Sequence, residues 1–166
     1  MPVEIVIEAG PWDETALTAL AERAMDATLT HLALDPQTWE ATVMACDDAR
    51  IAELNAGFRG KDKATNVLSW PSQERAPDTH GATPAPPEPD AFGDHHLGDI
   101  ALAHETCTRE AEAAGLTLND HLTHLVIHAL LHLLGYDHET DEDAALMEGI
   151  ERSILKGMEL HDPYPE

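Results

Sequence analysis

Cysteine is scarce in this chain: Cys46 and Cys107 are the only two in 166 residues, far apart and outside any CxxC spacing. A disulfide framework and a zinc ribbon are thereby excluded, and both thiols are expected to be reduced residues of the core. Aromatic residues are equally few, two Phe, three Trp and two Tyr. Only Phe58 and Trp70 flank a basic stretch, which is too little for a platform on which single-stranded bases stack. No run approaches the roughly eighteen apolar residues of a membrane span. The N-terminal MPVEIVIEAG lacks both a basic flank and a long apolar segment, so a cytoplasmic protein with no membrane partner is expected. Basic residues are the scarcest class relative to their opposite: nine Lys and Arg stand against 32 Asp and Glu, a formal charge of −23. Phosphates attract cations, so such a surface excludes general coating of nucleic acid, and DNA is not an expected partner.

The few cations are unevenly placed. Arg50, Arg59, Lys61 and Lys63 fall in one short segment that contains only Glu53 and Asp62 as acids. Taken alone this is a solvated basic turn; on a repelling surface it could also select a locally presented strand.

Periodicity sets out the elements. Residues 3–9 alternate as a half-buried strand, and Asp13 caps a helix through Leu17, Leu20, Ala24 and Leu29. Residues 39–46 form a second strand, followed from Asp47 by a helix bearing Ile51 and Leu54 that ends near Gly57. A third strand spans 65–70 and a fourth 97–103, with a helix from His104 to Ala114 stopped by Gly115. Thr117 with Asp120 opens an apolar helix that breaks at Gly135. Thr140 with Asp143 opens the last helix, where Leu146, Ile150, Ile154 and Met158 recur. Residues 71–96 hold six of the eleven prolines and no sustained periodicity, so they are expected to be an exposed loop outside the core whose shortening costs little. The pattern predicts a single α+β domain over 1–166, with a small, largely parallel mixed sheet of about four strands covered by helices and a helical C-terminal half.

The chemistry concentrates in the apolar helix. His128 and His132 lie one turn apart on one helical face, so both imidazoles can share an ion. Gly135 permits the left-handed backbone that ends a helix, and the chain can then return His138 to the same ion. Three nitrogen ligands leave a fourth tetrahedral position for water, the arrangement of a catalytic zinc, one Zn2+ per chain. His121 and His124 share the broad face. A ligand set of 124, 128 and 132 would extend over roughly 12 Å of helix, so these two are better placed to support a ligand or to meet solvent. The spacing also matches the long metzincin protease motif, but Ala129 occupies the position of the glutamate base. An alanine accepts no proton, which makes a zinc peptidase the weaker alternative.

The stretch His128-Ala129-Leu130-Leu131-His132-Leu133-Leu134-Gly135-Tyr136-Asp137-His138 resembles the signature of the YbeY family of bacterial endoribonucleases. Leu54-Asn55, Phe58 to Lys63, Thr65 to Ser69 and Leu97 to Ile100 follow that family's order, so the resemblance covers about residues 40–155. The family usually has glycine at Ala129, often phenylalanine at Trp70, and a shorter connection than 71–96. The resemblance implies a metal-dependent, single-strand-specific endoribonuclease of ribosomal RNA maturation and ribosome quality control. It implies the three histidines as zinc ligands, Arg59 as a functional residue, and the small ribosomal subunit or its assembly factors as partners. In that setting the Arg59 guanidinium is the natural phosphate partner, since its planar fork clamps a phosphate bidentately. Asp137 follows a helix end, where aspartate usually does turn chemistry. A non-catalytic ribosome-assembly factor with a structural metal is the third reading.

Overall fold

The computed structural model describes residues 2–59 and 64–164, apart from the side chains of Phe58 and Arg59. Strands β1 (Val3–Ile7), β2 (Glu40–Cys46), β3 (Val67–Pro71) and β4 (His96–Ala103) form one sheet, in the order β1-β2-β4-β3. β1, β2 and β4 run parallel, and β3 returns antiparallel along β4. Around them lie α1 (Glu14–His31), α2 (Asp48–Arg59), α3 (His104–Ala114), α4 (Leu118–Leu133) and α5 (Asp141–Gly157). The α+β reading with a largely parallel four-stranded sheet is what the chain adopts.

Three of the helices, α1, α4 and α5, start where a capping side chain accepts an orphan backbone donor. The Asp13 carboxylate accepts from Ala16 N at 3.0 Å, Thr117 Oγ1 from Asp120 N at 3.1 Å, and Thr140 Oγ1 from Asp143 N at 3.2 Å. One face of the sheet packs Val43, Ile100 and Leu102 against Leu20 and Met25 of α1 and Val126, Leu130 and Leu133 of α4. The other packs Cys46, Leu68, Ala101 and Ala103 against Ile51 of α2. Both cysteines are free and buried, as their segments suggested. β3 shows the pleat at work: Leu68 enters the second cluster, while Val67, Ser69 and Pro71 line a cleft beneath α4. Gly98 of β4 is what lets these layers close. A Cβ there would strike the Trp70 carbonyl of β3 and the Leu133 side chain of α4.

Four expectations need correction. The first strand stops at Ile7, and α2 runs past Gly57 to Arg59. The buried stripe of α5 is Met147, Glu151, Ile154 and Leu155, with Leu146 and Ile150 only partly covered. A strict four-residue row drifts around a helix, and a buried face must alternate steps of three and four. The proline-rich segment is also more than an excursion. Pro84 is buried, Gly81 N donates to Asp143 Oδ1 at 2.7 Å, and the Arg75 guanidinium donates to the Leu97 and Leu133 carbonyls at 3.1 and 2.9 Å. The tip fits the expectation better, for Phe92 is 96 % exposed.

Candidate metal centre

Helix α4 presents His128 and His132 to a cleft of about 450 Å³, and the loop after Gly135 brings His138 to its wall. The turn uses Gly135 at φ +106°, and a Cβ there would meet the Arg75 carbonyl and Pro84. The His138 ring lies 5.3 Å from that of His128, tilted by 32°. The three histidines singled out by spacing therefore share one cleft. Asp137 does turn chemistry as expected, its Oδ1 accepting from His138 N at 2.7 Å. The rest of the lining includes Ser69, Glu74, Arg75, Asp137 and Glu139.

Hydrogen bonding fixes which ring nitrogens face outward. His132 Nδ1 lies 3.1 Å from the Tyr136 carbonyl oxygen, which can only accept, so Nδ1 carries the proton and Nε2 keeps its lone pair. Burial pushes the His132 pKa down; the Tyr136 hydrogen bond and Asp137 oppose this, and His128 and His138 add to it. The ring is thus held in the neutral form that metals bind.

His128 Nδ1 lies 3.0 Å from Glu151 Oε1, and His124 Nε2 lies 2.8 Å from the same oxygen. Burial alone would raise the pKa of this 0 % exposed carboxyl, but hydrogen bonds and charge from His124 and His128 outweigh it and hold the group at about 2. An ionised carboxylate accepts only, so both rings donate to it, and the neutral form of His128 with its proton on Nδ1 is the one that keeps a lone pair on Nε2. Among the described residues, His124, His128 and Glu151 form a group able to hold a metal ion, their donor atoms lying within 4.8 Å of one another. His121 is directed elsewhere, 2.9 Å from Glu110 Oε1, which also accepts from Asn66 Nδ2 at 3.0 Å.

Two residues of this region escaped the sequence reading. Glu151 is an acid on the buried stripe of α5, visible only when that stripe is taken through Met147 and Leu155. Arg75, half-buried, is the only Lys or Arg in 71–96, a weak signal for its anchoring role. Arg50 Nη2 lies 3.7 Å from Glu8 Oε1, whereas Lys61, Lys63 and the side chain of Arg59 lie outside the described residues. No described helix is long and apolar enough to cross a membrane.

Comparison with known proteins converges on one family. The model of the endoribonuclease YbeY family matches residues 5–159. Proteins named endoribonuclease YbeY from Dinoroseobacter shibae, Ruegeria pomeroyi and a Jannaschia species are 57, 54 and 54 % identical, over 98, 99 and 99 % of this chain and 90, 98 and 100 % of their own lengths. The solution structure of a Thermotoga maritima protein shares the fold with a TM-score of 0.54 at 24 % identity, covering 99 % of both chains. The chain belongs to the YbeY endoribonuclease family.

Proposed function

We propose that this chain, acting as one domain over 1–166 in the cytoplasm, is a zinc-dependent endoribonuclease that cuts single-stranded RNA, chiefly ribosomal RNA, during rRNA maturation and ribosome quality control. Its relatives are named endoribonucleases over nearly the whole length of the chain. His128, His132 and His138 hold one Zn2+, and the small ribosomal subunit or its assembly factors present the strand.

One observation carries the ligand assignment. His128 and His132 each commit Nδ1–H to an acceptor, Glu151 Oε1 and the Tyr136 carbonyl, and so direct their Nε2 lone pairs from one helix into one cleft alongside His138. A hydrogen-bond acceptor behind a ligand imidazole is how proteins fix the tautomer and orientation that a metal needs. When bound there, zinc supplies Lewis acidity toward a phosphate oxygen and a lowered pKa for water. The chain's own residues orient the imidazoles and shape the cleft. Arg75 is occupied by backbone carbonyls, and Glu74, Asp137 and Glu139 give the lining a negative cast. The phosphate must therefore find its cation elsewhere, and Arg59 is the proposed one.

A second reading rests on the proximity of His124, His128 and Glu151. An ion held there would be structural, because neither His124 nor Glu151 lines the cleft that a substrate could enter. The N···O separations of 2.8 and 3.0 Å are those of hydrogen bonds, and are shorter than the roughly 3.3 Å that two ligand atoms at about 2.0–2.1 Å from one tetrahedral zinc would keep. Metal analysis of the purified protein, followed by incubation with single-stranded RNA and with casein, tests the function. RNA cleavage that disappears in His132→Ala with the fold intact is expected. RNA cleavage unchanged in that variant, or cleavage of casein alone, overturns the assignment.

A further inference from the structure

The C-terminal tail is tied to the metal cleft through one buried carboxylate. Arg152 of α5 draws the tail in: Nε donates to Asp162 Oδ1 at 3.2 Å and Nη2 to the Tyr164 carbonyl at 2.5 Å, with the guanidinium 5.6 Å from the Tyr164 ring centre. Asp162 Oδ1 also accepts from Tyr164 N at 2.9 Å. So placed, the Tyr164 hydroxyl donates to Glu151 Oε2 at 3.0 Å, while Oε1 accepts from His124 and His128. His124 packs edge-on against Tyr164 at 5.9 Å between ring centres. Both carboxylate oxygens are thus held, one by imidazoles and one by a phenol.

We propose that Glu151 is a positioning residue of the metal centre, which holds the His128 ring in the Nδ1-protonated orientation, and that Tyr164, delivered by the C-terminal tail, holds Glu151. The inference rests on the assignment of His128, His132 and His138 as ligands. It extends the functional unit from the cleft to the end of the chain. A carboxylate has two oxygens and free rotation about its last bond. With Oε2 released, Oε1 loses its fixed aim, and the His128 ring loses the acceptor that selects its tautomer. Acceptors of this kind typically contribute 10- to 100-fold to metal affinity.

The test is zinc affinity of the full-length chain, measured by competition with a chelator of known strength, for the wild type, Glu151→Gln, Tyr164→Phe, their double variant, His124→Ala and His132→Ala. Glutamine keeps the shape but offers an amide N–H that accommodates the wrong tautomer of His128. Glu151→Gln should weaken zinc binding about 10- to 100-fold, and Tyr164→Phe by a smaller factor in the same direction. The double variant should lose no more than Glu151→Gln alone, because Tyr164 acts through Glu151. Imidazole 15N NMR of the zinc-free chain should show His128 as the single Nδ1–H tautomer in the wild type and as a mixture in Glu151→Gln. Such a mixture is a signature that mere loss of packing does not produce. If Glu151→Gln binds like the wild type while His132→Ala loses zinc, the positioning role is wrong and the ligand set stands. If His132→Ala binds like the wild type, both fall. If His124→Ala loses zinc as completely as His132→Ala, Glu151 and His124 are ligands and the positioning role is overturned. Should Glu151→Gln not fold, unchanged zinc affinity and His128 tautomer in Tyr164→Phe overturn the proposal by themselves.

Discussion

The guanidinium of Arg75 closes the end of helix α4: its Nη1 donates to the Leu133 carbonyl at 2.9 Å, in the turn directly after His132. The same nitrogen reaches the Leu97 carbonyl of β4 at 3.1 Å, and Nη2 lies 3.1 Å from Ser72 Oγ. One side chain from the proline-rich segment thereby satisfies a helix end and a strand together. Burial pushes its pKa down, yet arginine stays charged throughout the accessible pH range. The helix that carries two proposed ligands is anchored from outside itself.

Arg75→Ala should therefore destabilise the protein by about 1–3 kcal/mol, the cost of leaving buried acceptors unpaired. Phe92→Ser, at the exposed tip of the same segment, should stay within about 0.5 kcal/mol of the wild type. Urea unfolding of the two variants separates an anchored base from a free tip. Equal stabilities would return the whole segment to the status of a passive loop.

Gly135→Ala should cost more than the roughly 1 kcal/mol typical of a left-handed position. The added methyl would also press on the Arg75 carbonyl and Pro84. Because this turn aims His138, zinc affinity should fall with stability. A variant as stable as the wild type that binds zinc normally would show that the turn is not needed for the site.

Zinc itself should stabilise the folded chain by mass action. At a free concentration one hundred times the dissociation constant the gain is about 2.7 kcal/mol, or roughly 5–10 °C in Tm for a chain of this size. His138→Ala should abolish that gain and His124→Ala should retain most of it. The reverse ranking in a thermal shift series would place the ion in the inner carboxylate cluster.

The two thiols should be inert. Burial, with Glu8 as the next contributor, pushes Cys46 up to about 11, and burial with Glu110 pushes Cys107 up to about 12. Both folded values exceed the ordinary thiol value of 9.0. The stabilisation from keeping these thiols neutral is therefore complete below about pH 9 and declines as pH rises toward 11 and 12. Alkylation by iodoacetamide at pH 8 should be slow until the chain is unfolded. Rapid labelling of either cysteine in the folded protein would contradict the burial argument.

The sequence was most legible where one local rule governs one element. Asp13, Thr117 and Thr140 cap the helices they were expected to cap, and His128, His132 and His138 line one cleft because helix period and turn chemistry are short-range. Legibility failed where a residue's role depends on distant chain. Glu151 is an ordinary surface acid in the sequence of α5 until the imidazoles of α4 and the Tyr164 hydroxyl are set around it. Arg75 sits among prolines with no periodicity, and its acceptors are 22 and 58 residues away. Both misses are charged residues, Glu151 buried and Arg75 half-buried, held by tertiary pairing that no local pattern encodes.

Arg59 is expected to separate metal binding from catalysis. It is the last residue of α2, in the basic segment that stands out on an otherwise acidic chain. If it clamps the phosphate while the histidines hold the ion, Arg59→Glu should leave zinc content and unfolding midpoint unchanged and abolish cleavage of single-stranded RNA, because it sets a negative charge beside a negative substrate. Arg59→Lys divides the role further. Lysine keeps the charge but loses the planar fork, so a bidentate clamp predicts a substantial loss of rate and long-range attraction predicts little. Salt should matter weakly in the wild type, because it screens the local attraction and the global repulsion together. The decisive measurement is the single-turnover cleavage rate of both variants at confirmed zinc occupancy. A wild-type rate for Arg59→Glu would remove Arg59 from the phosphate site and direct attention to Lys61 and Lys63.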